Sequence, residues 1–320
     1  IKKDDFDFKE ILGIPLLYYH FLRARNQNSS LFLVTDDQKY IDFFNNCKLE
    51  KEISDNCYIT LSNCFEKDVK FNLTKKEALK IIESKEIKEK DFIIRTNKDF
   101  YSFRNIVKEY INFKFIENGV DIENISTTYI GPEVNIEKGT KITGDTHIYG
   151  KSCIGKNNLI SSSYIENTNI KDDNKILNSH IVGAMIGCKN EIGPFCRMRG
   201  KAVIDNECVL GNFVEIKSSN IKDHVKIKHL SYIGDTFIEK NVNIGCGFVT
   251  ANYDGKRKYP TTIEENVFVG CNTTIVSPVT LKENCFIAAG SVITKDVEKN
   301  DLAIARSRQI NKTNYVKQKK

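Results

Sequence analysis

The sequence predicts a small α/β unit followed by a parallel β-solenoid, and three observations predict it. Glycine is nearly confined to the second part: residues 1–118 hold one, Gly13, and residues 119–320 hold the other seventeen. From Ile130 an aliphatic residue recurs every six positions through Ile136, Ile142, Ile148, Ile154 and Ile160, and the rhythm returns at Ile263, Val269, Ile275, Leu281, Ile287 and Ile293. Between the two runs it fails once, for 19 residues after Ile244, where Asn252-Tyr253-Asp254-Gly255 occurs. A period of six matches neither the 3.6 of a helix nor the 2 of a plain strand. It fits a coil of three short flat sides, each turning one aliphatic residue inward and rounding its corner at small or polar residues such as Gly131, Gly139, Gly155, Asn157 and Asn158.

In the first unit, Leu31-Phe32-Leu33-Val34-Thr35 has the pattern of a buried strand ending in Asp36-Asp37. Thr74-Lys75-Lys76-Glu77 is a capping box that opens a helix through about Ser84. Phe92-Ile93-Ile94 reads as another strand. Phe103, Ile106, Val107, Tyr110 and Ile111 then fall on one face of a helix stopped by Asn118-Gly119, and this helix links the two units. The predicted limits are 1–98 for the α/β domain, 99–120 for the linker helix, 121–306 for the solenoid and 307–320 for a basic tail.

Three six-residue sides make a coil of about 18 residues, stacked with parallel strands roughly 4.8 Å apart. Residues 130–300 then supply about nine coils, a prism roughly 45 Å long. The gap of 19 residues after Ile244 exceeds one coil, so Ala251–Thr262 is expected to leave the solenoid as a loop. A regular scaffold that opens at one place reads as one that builds a site there. Before the loop the aliphatic steps are five or six (Ile216, Ile221, Ile227, Ile233, Ile238, Ile244), and between them stand Glu215, Lys217, His229, Tyr232, Asn243 and Asn252, side chains of the kinds that bind sugars and phosphates.

Composition excludes several function classes. Of 320 residues 40% are hydrophobic and 28% charged, as in soluble globular proteins. No apolar run approaches the roughly 20 residues that span a bilayer. No charged-then-apolar leader opens the sequence. Ten cysteines without a CxxC pair read as reduced thiols. A cytoplasmic protein without a membrane partner is expected. The net charge of +6 is dispersed, and the terminal KTNYVKQKK reads as a solvated tail rather than a nucleic-acid arm.

The segments IGPFCRMRG, GNFVEIK, HLSYIGD, NVNIGCG, TANYDG, SPVTL, IAAGSVIT and LAIARSRQ follow one another in this order. In sequence and spacing they resemble the bifunctional enzymes that make UDP-N-acetylglucosamine, in which a uridylyltransferase domain precedes a glucosamine-1-phosphate acetyltransferase of the hexapeptide-repeat kind. The resemblance covers about residues 95–310. It implies a left-handed parallel β-helix, against the general right-handed crossover preference. It also implies acetyl-CoA as co-substrate, a sugar phosphate as acceptor, and a homotrimer with active sites between subunits.

By the same resemblance His229 is the general base, a role suited to an imidazole that must take a proton from a sugar ammonium near neutral pH. Arg199 and Lys217 hold the phosphate, as a dianion requires of a cationic pair. Tyr232 and Asn243 bind the sugar, Glu215 stands where it holds the amino group, and Lys258 reaches the phosphate from the loop. Asn252 and Tyr253 meet acetyl-CoA beside the reacting carbonyl, where backbone donors stabilise an oxyanion. Cys246, Cys271, Ala289 and Arg306 line the coenzyme cleft. Lys258 and Arg306 are expected to reach a neighbouring chain more easily than their own sugar pocket.

The chain departs from the family in places. Cys246 replaces an alanine and Cys271 a serine, both near-isosteric, and neither has an evident base beside it. Gly200 replaces the proline after Arg199, which implies a looser phosphate clamp. LGIPLLYYHFLRARN followed by LFLVTDD resembles part of the nucleotidyltransferase domain, yet the family's domain is much longer. Its Gly-Asp metal motif has no counterpart where Ser62-Asn63-Cys64 stands. Without that carboxylate a Mg²⁺ site is incomplete, whatever Asn97 offers. The first unit therefore reads as a degenerate remnant with uridylyl transfer lost, and Mg²⁺ is expected only if that activity persists. A fragment of a fully bifunctional enzyme is the alternative.

Two other classes use the same solenoid. A three-histidine zinc hydratase would need His147 or His180 beside His224 and His229, several coils apart in sequence. A purely trimeric scaffold would need none of His229, Asn252 and Lys258.

Overall fold

The structure is a computed structural model that describes residues 97–316 and the strands Glu10–Ile11, Ile14–Pro15, Leu31–Thr35 and Cys57–Leu61. The chain divides into two compact units, Ile1–Lys108 and Glu109–Lys320. In the first, the strand expected at Leu31–Thr35 is present and pairs in parallel with Cys57–Leu61, Leu31 opposite Cys57. The helix expected from Thr74 and the strand expected at Phe92–Ile94 lie outside the described residues.

One helix runs Asn97–Glu117. It stops as its sequence predicts: Gly119 takes φ 87°, and its N–H donates to the Ile116 carbonyl. Such a left-handed glycine satisfies end carbonyls that no further turn can reach. The boundary between the units falls within this helix.

The second unit is a parallel β-helix. One face carries nine stacked strands, from Asn135–Ile136 to Val279–Leu281, and a nineteen-strand sheet wraps the other two faces. The coils number about eleven rather than nine, so the stack is about 50 Å long. Two things account for the difference. The first rung begins already at Asp121–Ile122, and many coils are shorter than 18 residues. Cys153 pairs with Asn169 and Lys175 with Glu191, offsets of 16, while Glu215 pairs with Tyr232 at 17 and Arg199 with Lys217 at 18. A five-residue side needs a tighter corner, which Ser162 (φ 47°) and Asn167 (φ 48°) supply between Ile160, Ile165 and Ile170. Short polar side chains bond locally and tolerate this left-handed region.

The inward residues stack as the period predicts. Ile142, Ile160, Ile176, Ile192, Leu210, Ile227, Ile244, Val269 and Ile287 form one continuous buried ladder. Each buried side chain contributes about 1.5–3 kcal/mol relative to exposure. On the next face the ladder runs Ile216, Ile233, Thr250, Ile275. Thr250 is the polar exception, and its hydroxyl accepts the Gly234 N–H at 2.8 Å.

The rhythm breaks where expected. The strand Val249–Ala251 ends, Thr261–Ile263 resumes the solenoid, and residues 252–260 form a loop just inside the predicted limits. Tyr253 and Lys258 bridge its two arms in antiparallel fashion. Asp254 ties its tip by accepting from the N–H of Lys256 (2.7 Å) and Arg257 (2.6 Å) and from the Tyr259 hydroxyl (2.9 Å). Among the described residues no helix is long and apolar enough to cross a membrane.

Candidate active site

Two strands pass through a corner of the solenoid without interruption, Val209–Lys217 and Lys226–Gly234. They pair from Val209↔Lys226 to Lys217↔Gly234. Gly211 makes this possible, since a Cβ there would run into the Lys228 carbonyl oxygen. The close approach sets Asn212 opposite His229, with Asn212 Oδ1 2.9 Å from His229 Nδ1. His229 is exposed, and its other ring nitrogen takes no part in that bond.

Around the corner, two outward columns carry the charged residues. Glu215 is in register with Tyr232, and Arg199, Lys217 and Gly234 follow one another coil by coil. Arg199 Nε donates to Glu215 Oε1 at 2.7 Å. Gly200 turns the chain after Arg199 at φ 69°, a value a proline ring cannot adopt. The arginine is nonetheless held by its carboxylate partner. Lys217, whose side chain is 12% exposed, places Nζ 2.9 Å from Asp235 Oδ2. The same oxygen accepts from Asn252 Nδ2 at 2.6 Å, and Asn252 is buried at the base of the loop. Gly234 leaves the space in which these groups meet, because a Cβ there would stand 2.6 Å from the Tyr232 hydroxyl and 2.8 Å from Asn252 Nδ2.

Lys258 stands on the loop of the same chain, close enough to Lys217 for the two amines to act on each other's protonation. The two lysines are shifted in opposite directions. Lys217 is raised above the ordinary lysine value, first by the hydrogen bond to Lys258 and then, against a burial penalty, by Asp235. Lys258 is lowered, first by that hydrogen bond, then by desolvation and the charges of Lys217 and Arg199. Arg199 and Lys217 are each paired with a carboxylate, and Lys258 stands near Lys217, so three basic side chains and two acidic ones share this part of the surface.

The remaining expected residues fall into two groups. The offset of 17 holds on both sides of the corner, at Ile227↔Ile244 and Tyr232↔Val249, and so carries His229 opposite Cys246. Asn272 N–H donates to the Cys246 carbonyl, and Gly290 N–H to that of Cys271, so Cys246, Cys271 and Ala289 continue the His229 column coil by coil. An imidazole therefore precedes Cys246 by one coil, a neighbour its surrounding sequence did not reveal. Arg306 lies beside the end of that column, its Cδ 3.9 Å from where a Cβ on Gly290 would be. Tyr253 is exposed on the loop and donates its hydroxyl to the Gly255 carbonyl. Asn243 stands apart. It lies between Lys226 and Phe268 on the face before the corner, where it lines a cavity of about 440 Å³ with Glu207, His224, Lys226, Asn241 and Val242.

The described histidines are not assembled. His224 pairs with Glu207 at 3.4 Å, His229 with Asn212, and His147 with Asp145 and Tyr149. Among the described residues no group of three or more His, Cys, Asp or Glu could hold a metal ion.

Three residues of the cluster were absent from the sequence-based set: Asn212, Gly234 and Asp235. The signal was present in the coil arithmetic. Asn212 precedes His229 by 17 residues, and Asp235 follows Lys217 by 18.

Residues 260–295 match the family described as "Bacterial transferase hexapeptide (six repeats)". The "Bifunctional protein GlmU" of Staphylococcus haemolyticus (strain JCSC1435) is 42% identical over 212 residues, 66% of this chain and 47% of that protein. Its namesake from Geobacillus sp. (strain WCH70) is 45% identical over 212 residues, 66% of this chain and 46% of that protein. The one from Clostridium beijerinckii (strain ATCC 51743 / NCIMB 8052) is 44% identical over 215 residues, 67% and 47% respectively. The chain thus spans about half the length of the curated relatives it matches. Among solved structures, LpxA, a UDP-N-acetylglucosamine acyltransferase from Bacteroides fragilis 9343, is similar at 17% identity and a TM-score of 0.41, covering 54% of this chain and 70% of that one.

Proposed function

Because its C-terminal two-thirds is homologous to the proteins named bifunctional GlmU, and the chain belongs to that family over those residues, we propose that it transfers acetyl from acetyl-CoA to the amine of glucosamine-1-phosphate. One observation supports this above the others: Arg199 and Lys217 stack one coil apart around the corner from His229, with Lys258 near them on the loop. A phosphate dianion there displaces the carboxylates of Glu215 and Asp235 from their cations. Glu215, released from Arg199, takes the sugar's ammonium, and Tyr232 and Asn243 hold its hydroxyls.

His229 accepts a proton from the ammonium through Nε2, and the free amine attacks the thioester carbonyl carbon. The tetrahedral oxyanion is met by backbone donors at Asn252 and Tyr253. Its collapse expels the coenzyme A thiolate, the amide nitrogen loses its second proton to solvent, and N-acetylglucosamine-1-phosphate remains. The coenzyme lies along the column Cys246, Cys271 and Ala289, with Arg306 at its end.

The active form is a homotrimer. Asn243 stands on a different face from Lys217 and Tyr232, so one copy alone does not bring every sugar-binding residue to one pocket. At the corner beside His229, Phe195, Phe213 and Leu230 are bulky residues at positive φ (61°, 57° and 45°), and each is more than half exposed. Such strain and exposure fit a surface that another copy covers.

Thiol release from acetyl-CoA by the purified chain tests the reading, with glucosamine-1-phosphate, glucosamine and other amino-sugar phosphates as acceptors. Release specific to glucosamine-1-phosphate is expected, and none with any acceptor would leave only a scaffold. Mixed Asn243→Ala and Lys217→Ala chains, each weakly active alone, should recover activity on subunit exchange. Full activity of a monomer by light scattering would remove the shared site.

A further inference from the structure

Asp235 does more than pair with Lys217, because it is where the two halves of the site touch. One oxygen of its carboxylate, Oδ2, accepts from Lys217 Nζ at 2.9 Å and from Asn252 Nδ2 at 2.6 Å; Oδ1 lies 3.3 Å from the same Nζ. Lys217 belongs to the anion cluster, and Asn252 is the first residue of the loop. Asp235 is fixed by backbone rather than by these partners alone, since its N–H donates to the Lys217 carbonyl at 2.9 Å and its own carbonyl accepts from Thr261 N–H. It therefore spans the solenoid where the loop leaves at Asn252 and returns at Thr261.

We propose that Asp235 is a positioning residue that couples occupancy of the sugar-phosphate pocket to the affinity of the acetyl-CoA loop. The inference rests on the proposed assignment of those two ligands. In the free site Lys217 and Asn252 compete for one carboxylate oxygen. A phosphate that draws the Lys217 ammonium toward itself leaves Oδ2 to Asn252 alone. That bond then shortens in effect and strengthens, because the carboxylate no longer divides its charge between two donors. Asn252 and the loop are held in the conformation they already have, and the coenzyme that binds there no longer has to order them. The coupling runs both ways and by the same factor, as any linkage between two binding equilibria must.

Calorimetric titration of the full chain with coenzyme A tests this, with and without saturating glucosamine-1-phosphate. Without an acetyl group no turnover occurs. The dissociation constant of coenzyme A should fall by about 5-fold or more when the sugar phosphate is present, and that of the sugar phosphate should fall by the same factor when coenzyme A is present. Asp235→Asn keeps the shape but not the charge, and should bring the factor close to one. Asn252→Ala removes the other end of the link. It should do the same, and the double variant should add nothing further. Should Asp235→Asn fail to fold, Asn252→Ala and the wild-type reciprocity decide the matter. Independent binding of the two ligands to the wild type, or an undiminished factor in either variant, overturns the coupling alone. Failure of either ligand to bind the wild type removes the functional reading, and the coupling with it.

Discussion

Asn212 Oδ1 and His229 Nδ1 stand 2.9 Å apart across one coil of the solenoid. An amide oxygen accepts and does not donate, so Nδ1 carries the proton and Nε2 presents its lone pair to the opening. A fixed tautomer is what a general base requires. His229→Ala should lower kcat by at least about 10²-fold with coenzyme affinity nearly unchanged. Asn212→Ala should cost less, about 10-fold, because the ring stays but its tautomer and orientation are no longer held. Asn212→Asp should move the acidic limb of the kcat/KM profile to higher pH, since a carboxylate favours the imidazolium. Initial rates between pH 5 and 9 check all three. Wild-type turnover in His229→Ala excludes the role.

Arg199→Ala and Lys217→Ala should raise KM for the sugar phosphate more than they lower kcat, because each removes a contact present in both ground and transition states. An unchanged KM in both variants would place the phosphate elsewhere.

Binding of the sugar phosphate should take up protons at alkaline pH. Lys258 is held below the ordinary lysine value by Lys217 beside it, and a bound dianion favours its charged form. Between the depressed value and the ordinary one near about 10.4, the free site lacks a proton that the occupied site holds. Titrations in buffers of different ionisation enthalpy should show uptake that disappears in Lys258→Met. Proton release in that range would contradict the assignment.

Gly234→Ala should damage the site more than the fold. Its backbone is not in the left-handed region, but its new Cβ would press on Tyr232 and Asn252. Loss of kcat/KM by more than about 10-fold with a small change in Tm is expected. An equal loss of both would make Gly234 a folding residue only.

The chain should release no pyrophosphate from UTP and N-acetylglucosamine-1-phosphate, given the missing Gly-Asp motif in its first unit. Measurable release would restore the bifunctional reading.

The solenoid was legible because its inward residues are compelled to be aliphatic by burial: a fault at Ile160 or Ile227 would leave a cavity in a core one side chain wide. The loop was legible as a failure of that same rhythm. Coil number was misjudged because five-residue sides depend on corner residues such as Ser162 and Asn167, whose positive φ leaves only a faint mark in composition. Arg199 and Lys217 could be placed together because their spacing equals one coil. Asp235 was missed although HLSYIGD contains it, because its meaning lies in Lys217 a coil earlier and Asn252 a coil later. The course of the loop was not legible, because the return of an excursion depends on its own bridge, Tyr253 to Lys258, and not on the repeat.

A stack in which each coil touches only the coils beside it has a mechanical signature. Pulled along its axis from the C-terminal end, it should peel rather than burst, each event freeing one coil. About 17 residues at roughly 3.4 Å each extend by about 58 Å while giving up one rise of about 4.8 Å. One event should be longer, because Ile238 meets Ile263 across 25 residues. That coil yields about 85 Å of slack, and a force record read tooth by tooth would locate the opening in the scaffold as its single irregular interval.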